Sequence, residues 1–195
     1  MSKRQSTIHR ETKETNIQLS FQLDGTGQVN IDTGIGFFDH MLTLFAVHGL
    51  FDLDVKVVGD LHVDAHHSVE DVGICLGQAV QSSLGNSAGI TRYASGLFPM
   101  DDALCQIAMD IGGRPFLKVD PLASQSFGLF HTELVEEFFR AFSNHAGMNL
   151  FISWPHPANM HHMIEALFKG VGVVLDRATR IDSRRQGIPS SKGVL

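Results

Sequence analysis

The chain holds only two cysteines, one tryptophan, one tyrosine and six prolines in 195 residues. Cys75 and Cys105 sit inside the apolar runs GICLGQAV and DALCQIAMD, so they are expected as buried free thiols, and no disulfide framework is implied. No uninterrupted apolar stretch approaches membrane-spanning length, and the opening MSKRQSTIHRETKETN is polar and has no apolar signal core. These features predict a cytoplasmic protein without membrane contact. Basic charge is sparse too: the net charge is −6, and one late cluster near Arg177 to Arg185 gives no electrostatic footprint for nucleic acid. No GxGxxG fingerprint occurs, and nothing marks a pyridoxal or flavin site.

What the chain does have is 43% hydrophobic residues, enough for a real core, and eleven histidines. TNIQLSFQL alternates Ile17, Leu19, Phe21 and Leu23 with polar neighbours, and DGTGQ then turns the chain into VNID, which predicts a hairpin. GIGFFDHMLTLFAVHG puts Phe38, Met41, Leu42 and Phe45 at helical spacing and stops at Gly49, where a glycine cap is expected. FDLDVKVVGDLHV alternates as a strand, and HHSVEDVGICLGQAVQSSLG reads as a second helix closed by glycine.

The chain also repeats itself. His66-His67-Glu70 in HHSVED returns as His161-His162-Glu165 in HHMIEA, and DHMLTLFAVHGLFDLDV aligns with EEFFRAFSNHAGMNLFI. In that alignment His48 falls on His145, Phe45 on Phe142, Leu53 on Leu150 and Val55 on Ile152. DALCQIAMDIGGRPFLKVD then reads as two strands around a turn, matching TNIQLSFQLDGTGQVNID. The expected fold is α+β and internally duplicated, one domain of two repeats at about residues 1–90 and 91–195. Each repeat would be a small β-sheet with two helices on one face, and the two layers would bury their faces against each other.

Neighbouring helical residues diverge by about 100°, so His66 and His67 suit two ions better than one. Glu70 lies three and four residues on and shares a face with either, and the same holds for His161, His162 and Glu165. A set rich in imidazole with some carboxylate suits manganese, iron, zinc or nickel rather than calcium or magnesium. Burying four imidazoles and two carboxylates with no cation would be costly. The repeat superposes His40 on Glu137, so if one is a ligand the other is its counterpart. His48 and His145 are matched as well, as helix-end residues or as substrate contacts.

GIGFFDHML, GDLHVDAHHSVEDVGICLG, DIGGRPFL, LVEEFFRAF, NMHHMIEALFKG and PSSKGVL resemble the imidazoleglycerol-phosphate dehydratase family over nearly the whole chain, and RETKETN fits its N-terminus. The resemblance implies dehydration of D-erythro-1-(imidazol-4-yl)glycerol 3-phosphate to 3-(imidazol-4-yl)-2-oxopropyl phosphate in histidine biosynthesis. It also implies a ribosomal-protein-S5 domain-2-like fold and a homo-oligomer of ~24 subunits with active sites between them. The cofactors would be two divalent ions per site, manganese as the usual metal, held by His40, His66, His67, Glu70, Glu137, His161, His162 and Glu165. By analogy His66, Glu137, His161 and Glu165 would hold one ion, and His40, His67, Glu70 and His162 the other. Many relatives carry His in place of Glu137, His in place of Phe151 and Gly in place of Pro157.

The hard step is loss of a proton with no neighbouring carbonyl to take up the charge. Metal coordination makes an imidazolate of the substrate ring accessible, and the ring can then expel the hydroxyl. Glu14 in KETN is the family-matched acid/base candidate, with Glu165 able to share that role. Arg92, Arg114, Ser190, Ser191 and Lys192 match the family's phosphate-binding positions. Asp101, Asp102 and Asp110 fit strand ends and turns and are given no role. Two other functions use the same ligands: a dinuclear metal hydrolase, for which no dedicated base can be located, and a metal-storage protein, which gives no reason for Arg92, Arg114 and SSKG.

Overall fold

In a computed structural model, which describes residues 3–194, the period-two segments become strands and the 3.6-period segments helices. The first half runs β1 Gln5–Glu11, β2 Thr15–Gln22, β3 Val29–Asp32, α1 Gly36–Gly49, β4 Asp52–Gly59 and α2 His66–Leu84. The second runs β5 Tyr93–Met100, β6 Ala103–Asp110, β7 Phe116–Val119, a short hairpin β8 Ser126–Phe127 and β9 Phe130–His131, α3 Glu133–Ala146, β10 Asn149–His156 and α4 Met160–Thr179. The sheets are ordered β1-β2-β4-β3 and β5-β6-β10-β7. In both, the first three strands are antiparallel and the last pairs parallel to its neighbour, so the duplication holds at the level of topology.

The hairpin expected through DGTGQ does not form between its flanking strands. β4 lies between β2 and β3 because Leu53, Val55 and Val57 are its buried inner face, whereas β3 is largely exposed and suits an edge. The connecting loop is folded over the start of β4 by Asp52, whose Oδ1 accepts from Thr26 N at 2.7 Å and Gln28 N at 3.0 Å. β6 and β7 are likewise separated, by β10. The polar opening segment supplies β1, an edge strand in which only Ser6, Ile8 and Arg10 are half-buried, an alternation too weak to signal a strand.

Gly49 ends α1, but the left-handed residue is Leu50, at φ 58°. Gly49 is needed for packing: a Cβ there would lie 2.2 Å from the Phe51 ring. α3 does close on a left-handed glycine, Gly147 at φ 67°.

Each sheet carries two helices on its inner face, and the two pairs meet as α1 on α4 and α2 on α3. Repeat-related glycines set both contacts. A Cβ on Gly172 would meet Phe45 O at 2.2 Å, and one on Gly77 would meet Phe142 O at 2.6 Å. Phe45 and Phe142 are the residues paired by the sequence repeat, so each glycine admits the backbone carbonyl of the matched phenylalanine from the other half. Around them Phe138 packs on Phe168 at 5.4 Å and on Phe139 at 4.9 Å. Burying each such ring contributes ~2–3 kcal/mol before the entropy of ordering it is subtracted.

Candidate metal centre and substrate site

The helix pairing decides which ligands meet. Because α1 packs on α4, His40 of the first half reaches the second half's HHxxE motif. His40 Nε2 is 3.1 Å and His161 Nε2 3.0 Å from Glu165 Oε1. Among the described residues, these three are the only set of His, Cys, Asp or Glu whose ligand atoms all fall within 4.8 Å. Two imidazole nitrogens facing one carboxylate oxygen are a donor set for a borderline divalent cation, so the residues fit a metal. The proximity joins His40 to His161 and Glu165, which the family analogy assigns to separate ions.

Glu165 is buried at the motif's inner edge, and Lys169, one turn on, donates to its Oε2 at 2.6 Å. Burial pushes the Glu165 carboxyl up, but hydrogen bonds from Lys169, His40 and His161 outweigh that and hold it at about 2. The start of α4 is fixed by Asn159, whose side chain accepts from His161 N at 2.9 Å and His162 N at 3.4 Å. The ring of His161 stands edge-on to Phe37 at 5.2 Å and Phe127 at 5.7 Å, the latter from the β8–β9 hairpin, which has no counterpart among the described residues of the first half.

At the start of α2, His66 Nε2 lies 3.5 Å from Glu70 Oε2. The paired rings diverge alike in both motifs, with centroids 6.2 Å apart and planes at 76° for His66 and His67, 6.2 Å and 78° for His161 and His162. Neither pair is arranged to grip one ion. Each second histidine turns Nδ1 to an aspartate: His67 to Asp60 at 2.9 Å and His162 to Asp102 at 2.7 Å. Those hydrogen bonds raise the pKa of both imidazoles. Glu14, at the exposed tip of the β1–β2 turn, puts Oε1 3.8 Å from His67 Nε2. Glu137 is half-buried on α3, the helix that packs on α2, and joins no three-residue cluster among the described residues.

The phosphate-matched residues lie elsewhere. Arg92, at φ 77°, donates to Asp110 through Nε at 2.7 Å and Nη2 at 3.1 Å, and its Nη1 donates to Pro189 O at 2.9 Å. That last bond ties the PSSKG segment to Arg92. Within the segment, Lys192 N donates to Ser190 Oγ at 3.2 Å, while Ser191 and Lys192 are exposed. Arg114 is exposed on the β6–β7 turn, where its carbonyl accepts from Asn149 Nδ2. Arg92 N also donates to Ala178 O at the far end of α4, ~25 Å along the helix from His161 at 1.5 Å per residue.

Asp60, Asp102 and Lys169 were not singled out as site residues from the sequence. Lys169 was findable, four residues after Glu165 on one helix face. The aspartates were not, since both reach their histidines through tertiary structure. Of the matched pair His48 and His145, the latter is committed to its own helix, with Nδ1 2.8 Å from Ala141 O.

The imidazoleglycerol-phosphate dehydratase family model matches residues 33–175. The imidazoleglycerol-phosphate dehydratase of Acetivibrio thermocellus is 54% identical over 193 residues, covering 98% of this chain and 99% of that one. That of Rhodopseudomonas palustris is 53% identical over 195 residues, covering 98% of each. Among solved structures, the Staphylococcus aureus enzyme superposes with a TM-score of 0.82 at 35% identity over 91% of this chain and 99% of its own. The Pyrococcus furiosus enzyme, in complex with (S)-C348, gives 0.83 at 34% over 96% and 100%. The chain therefore belongs to the imidazoleglycerol-phosphate dehydratase family, lyases that carry out the dehydration step of histidine biosynthesis.

Proposed function

We propose that this chain converts D-erythro-1-(imidazol-4-yl)glycerol 3-phosphate to 3-(imidazol-4-yl)-2-oxopropyl phosphate with two divalent ions, manganese in preference, in the cytoplasm. It would do so as one domain of two repeats dividing near residue 90. The observation that carries this reading is the convergence of His40, His161 and Glu165 on one point. His66, His67, Glu70, Glu137 and His162 complete the ligand set. A bound divalent ion supplies Lewis acidity that lets the substrate's imidazole take up negative charge. The ring would then expel the hydroxyl from the carbon it is attached to, the hydroxyl leaving as water once protonated; the next carbon loses its proton, and the resulting enol becomes the ketone as the ring-bearing carbon takes one up. Glu14 Oε1 moves that proton, and Glu165, held ionised by Lys169, remains a ligand. Arg92, Arg114, Ser190, Ser191 and Lys192 hold the phosphate; Asp110 orients the Arg92 guanidinium and leaves part of its donor fork free.

Distance supports a site shared between copies. Both HHxxE motifs open their helices, whereas Arg92 and the PSSKG segment sit where α4 ends. The carbon chain from ring to phosphate spans at most ~8 Å at about 1.5 Å per bond, far short of the ~25 Å along α4. The phosphate residues of one copy would therefore serve the ligands of another, which accords with an oligomer of ~24 subunits. The test is to incubate manganese-loaded protein with the substrate and follow the keto product before and after chelation. Product that disappears with the metal is expected; a loaded protein that forms none overturns the proposal.

A further inference from the structure

The second histidine of each motif has an aspartate on Nδ1, and the two aspartates do not come from corresponding places. Asp60 follows β4 directly, on the loop into α2; Asp102 lies in the β5–β6 turn, and the repeat counterpart of that turn is the β1–β2 turn that bears Glu14. Duplication copies positions, so it does not account for one geometry assembled from two different elements. We infer that Asp60 and Asp102 are positioning residues that fix the tautomer of His67 and His162 and so present Nε2 of each ring to the metal. The inference rests on the ligand roles of His67 and His162 proposed above.

The hydrogen-bond chemistry leaves one arrangement. An ionised carboxylate only accepts, so Nδ1 of His67 donates to Asp60 Oδ2 at 2.9 Å and Nδ1 of His162 to Asp102 Oδ1 at 2.7 Å. In the neutral ring Nε2 is then the lone-pair nitrogen. Both Nε2 atoms lie beyond hydrogen-bond reach of the nearest acidic groups, at 3.8 Å from Glu14 Oε1 and 3.6 Å from Asp101 Oδ2, so they are free to ligate. Each aspartate is itself held. Asp60 N donates to Glu14 O at 3.0 Å, and its buried Oδ1 has no hydrogen-bond partner, so His67 is the only group its side chain engages among the described residues. Asp102 Oδ2 accepts from Asn159 N at 3.4 Å, joining the β5–β6 turn to the residue that caps α4. Such outer partners set ring orientation and ligand basicity in metal sites.

The experiment uses the full chain and Mn2+ alone, in competition with a chromophoric chelator. D60N and D102N keep the shape, but an amide can donate to Nδ1 and so place the proton on Nε2. Each is expected to weaken Mn2+ binding ~10–100-fold while the metal-free protein melts within ~2 °C of the parent. D64N is the charge control on the same loop: Asp64 Oδ1 accepts only from His66 N among the described residues, at 2.8 Å, which asparagine does equally well, so D64N removes only a nearby negative charge that acts on His67, and its Mn2+ affinity should fall less than that of D60N. Unchanged affinity in both D60N and D102N, or a loss equal to that in D64N, overturns the inference. Should D60N not fold, D102N decides, since its turn is exposed. H67A and H162A separate the two levels: if they also leave Mn2+ binding untouched, the ligand assignment itself has failed, whereas large losses there beside unchanged D60N and D102N refute only the positioning role.

Discussion

The two HHxxE motifs share sequence, helix position and ring divergence, yet one has its ligands assembled within the chain and the other does not. At α4, His40 arrives from α1 and completes a three-residue cluster with a buried, ionised Glu165. At α2, the positions that correspond to His40, Glu165 and Lys169 are Glu137, Glu70 and Ile74. The isoleucine has no donor to offer a carboxylate, and Glu70 is half-exposed, with its Oε2 3.5 Å from His66 Nε2. A duplicated scaffold thus carries one motif built around a buried, lysine-held carboxylate and aromatic rings, and one whose carboxylate is half-exposed. The sheets diverge too. The outer face of β1, β2 and β4 presents Thr7, His9, Gln18, Ser20 and Lys56 with one exposed apolar residue, Val58, whereas that of β5, β7 and β10 presents Tyr93, Leu97, Phe116 and Phe151, all exposed. Duplication preserved what the core requires and left the surfaces free to differ.

The strongest way to break the comparison is to remove one histidine from each motif. His161→Ala and His66→Ala should each lower kcat/KM by ~10³-fold or more if both motifs serve one reaction. A loss confined to His161→Ala would restrict the chemistry to the α4 cluster. A mixing experiment comes next. Arg92→Ala and His161→Ala, each inactive alone, should regain a measurable fraction of turnover when dissociated and reassembled together, because a shared site draws its two kinds of residue from different copies. No recovery would mean that both come from one chain.

The two halves share a close helix contact at a glycine. Gly172→Ala and Gly77→Ala each push a methyl into a carbonyl of the facing helix and should destabilise the fold by ~1–3 kcal/mol in denaturant unfolding, Gly172→Ala the more. The last and smallest effect is confined to acid. Glu165 is held at about 2, below the ordinary carboxylate value near 4.5, so its contribution to the metal-free fold is present above that ordinary value and is lost as pH falls toward about 2. Between these limits the unfolded state binds more protons. Glu165→Gln should therefore flatten the pH dependence of the melting temperature there.

Much of the fold was legible because its cause is local. Period-two and 3.6-period patterns marked β2, β4, α1 and α2, and the repeated HHxxE disclosed the duplication, through which α3 and α4 follow. The same repeat picked out Glu137 as the counterpart of His40. Strand neighbours were not legible: DGTGQ looks like a hairpin turn, but adjacency in a sheet follows which strand can bury its inner face, and β4 buries more than β3. β1 was missed because an edge strand needs little apolar alternation.

By itself, then, the sequence determined the duplicated α+β plan, the paired histidines and their divergence, since each depends on spacing along a single element. Which half supplies which ligand was decided only by tertiary structure. Gly77 and Gly172 let α2 close on α3 and α1 on α4, so His40 crosses to the other half's motif. The aspartates behind His67 and His162 belong to the same class. Close packing brings together groups far apart in the chain, and no periodicity along one strand or helix encodes such a meeting.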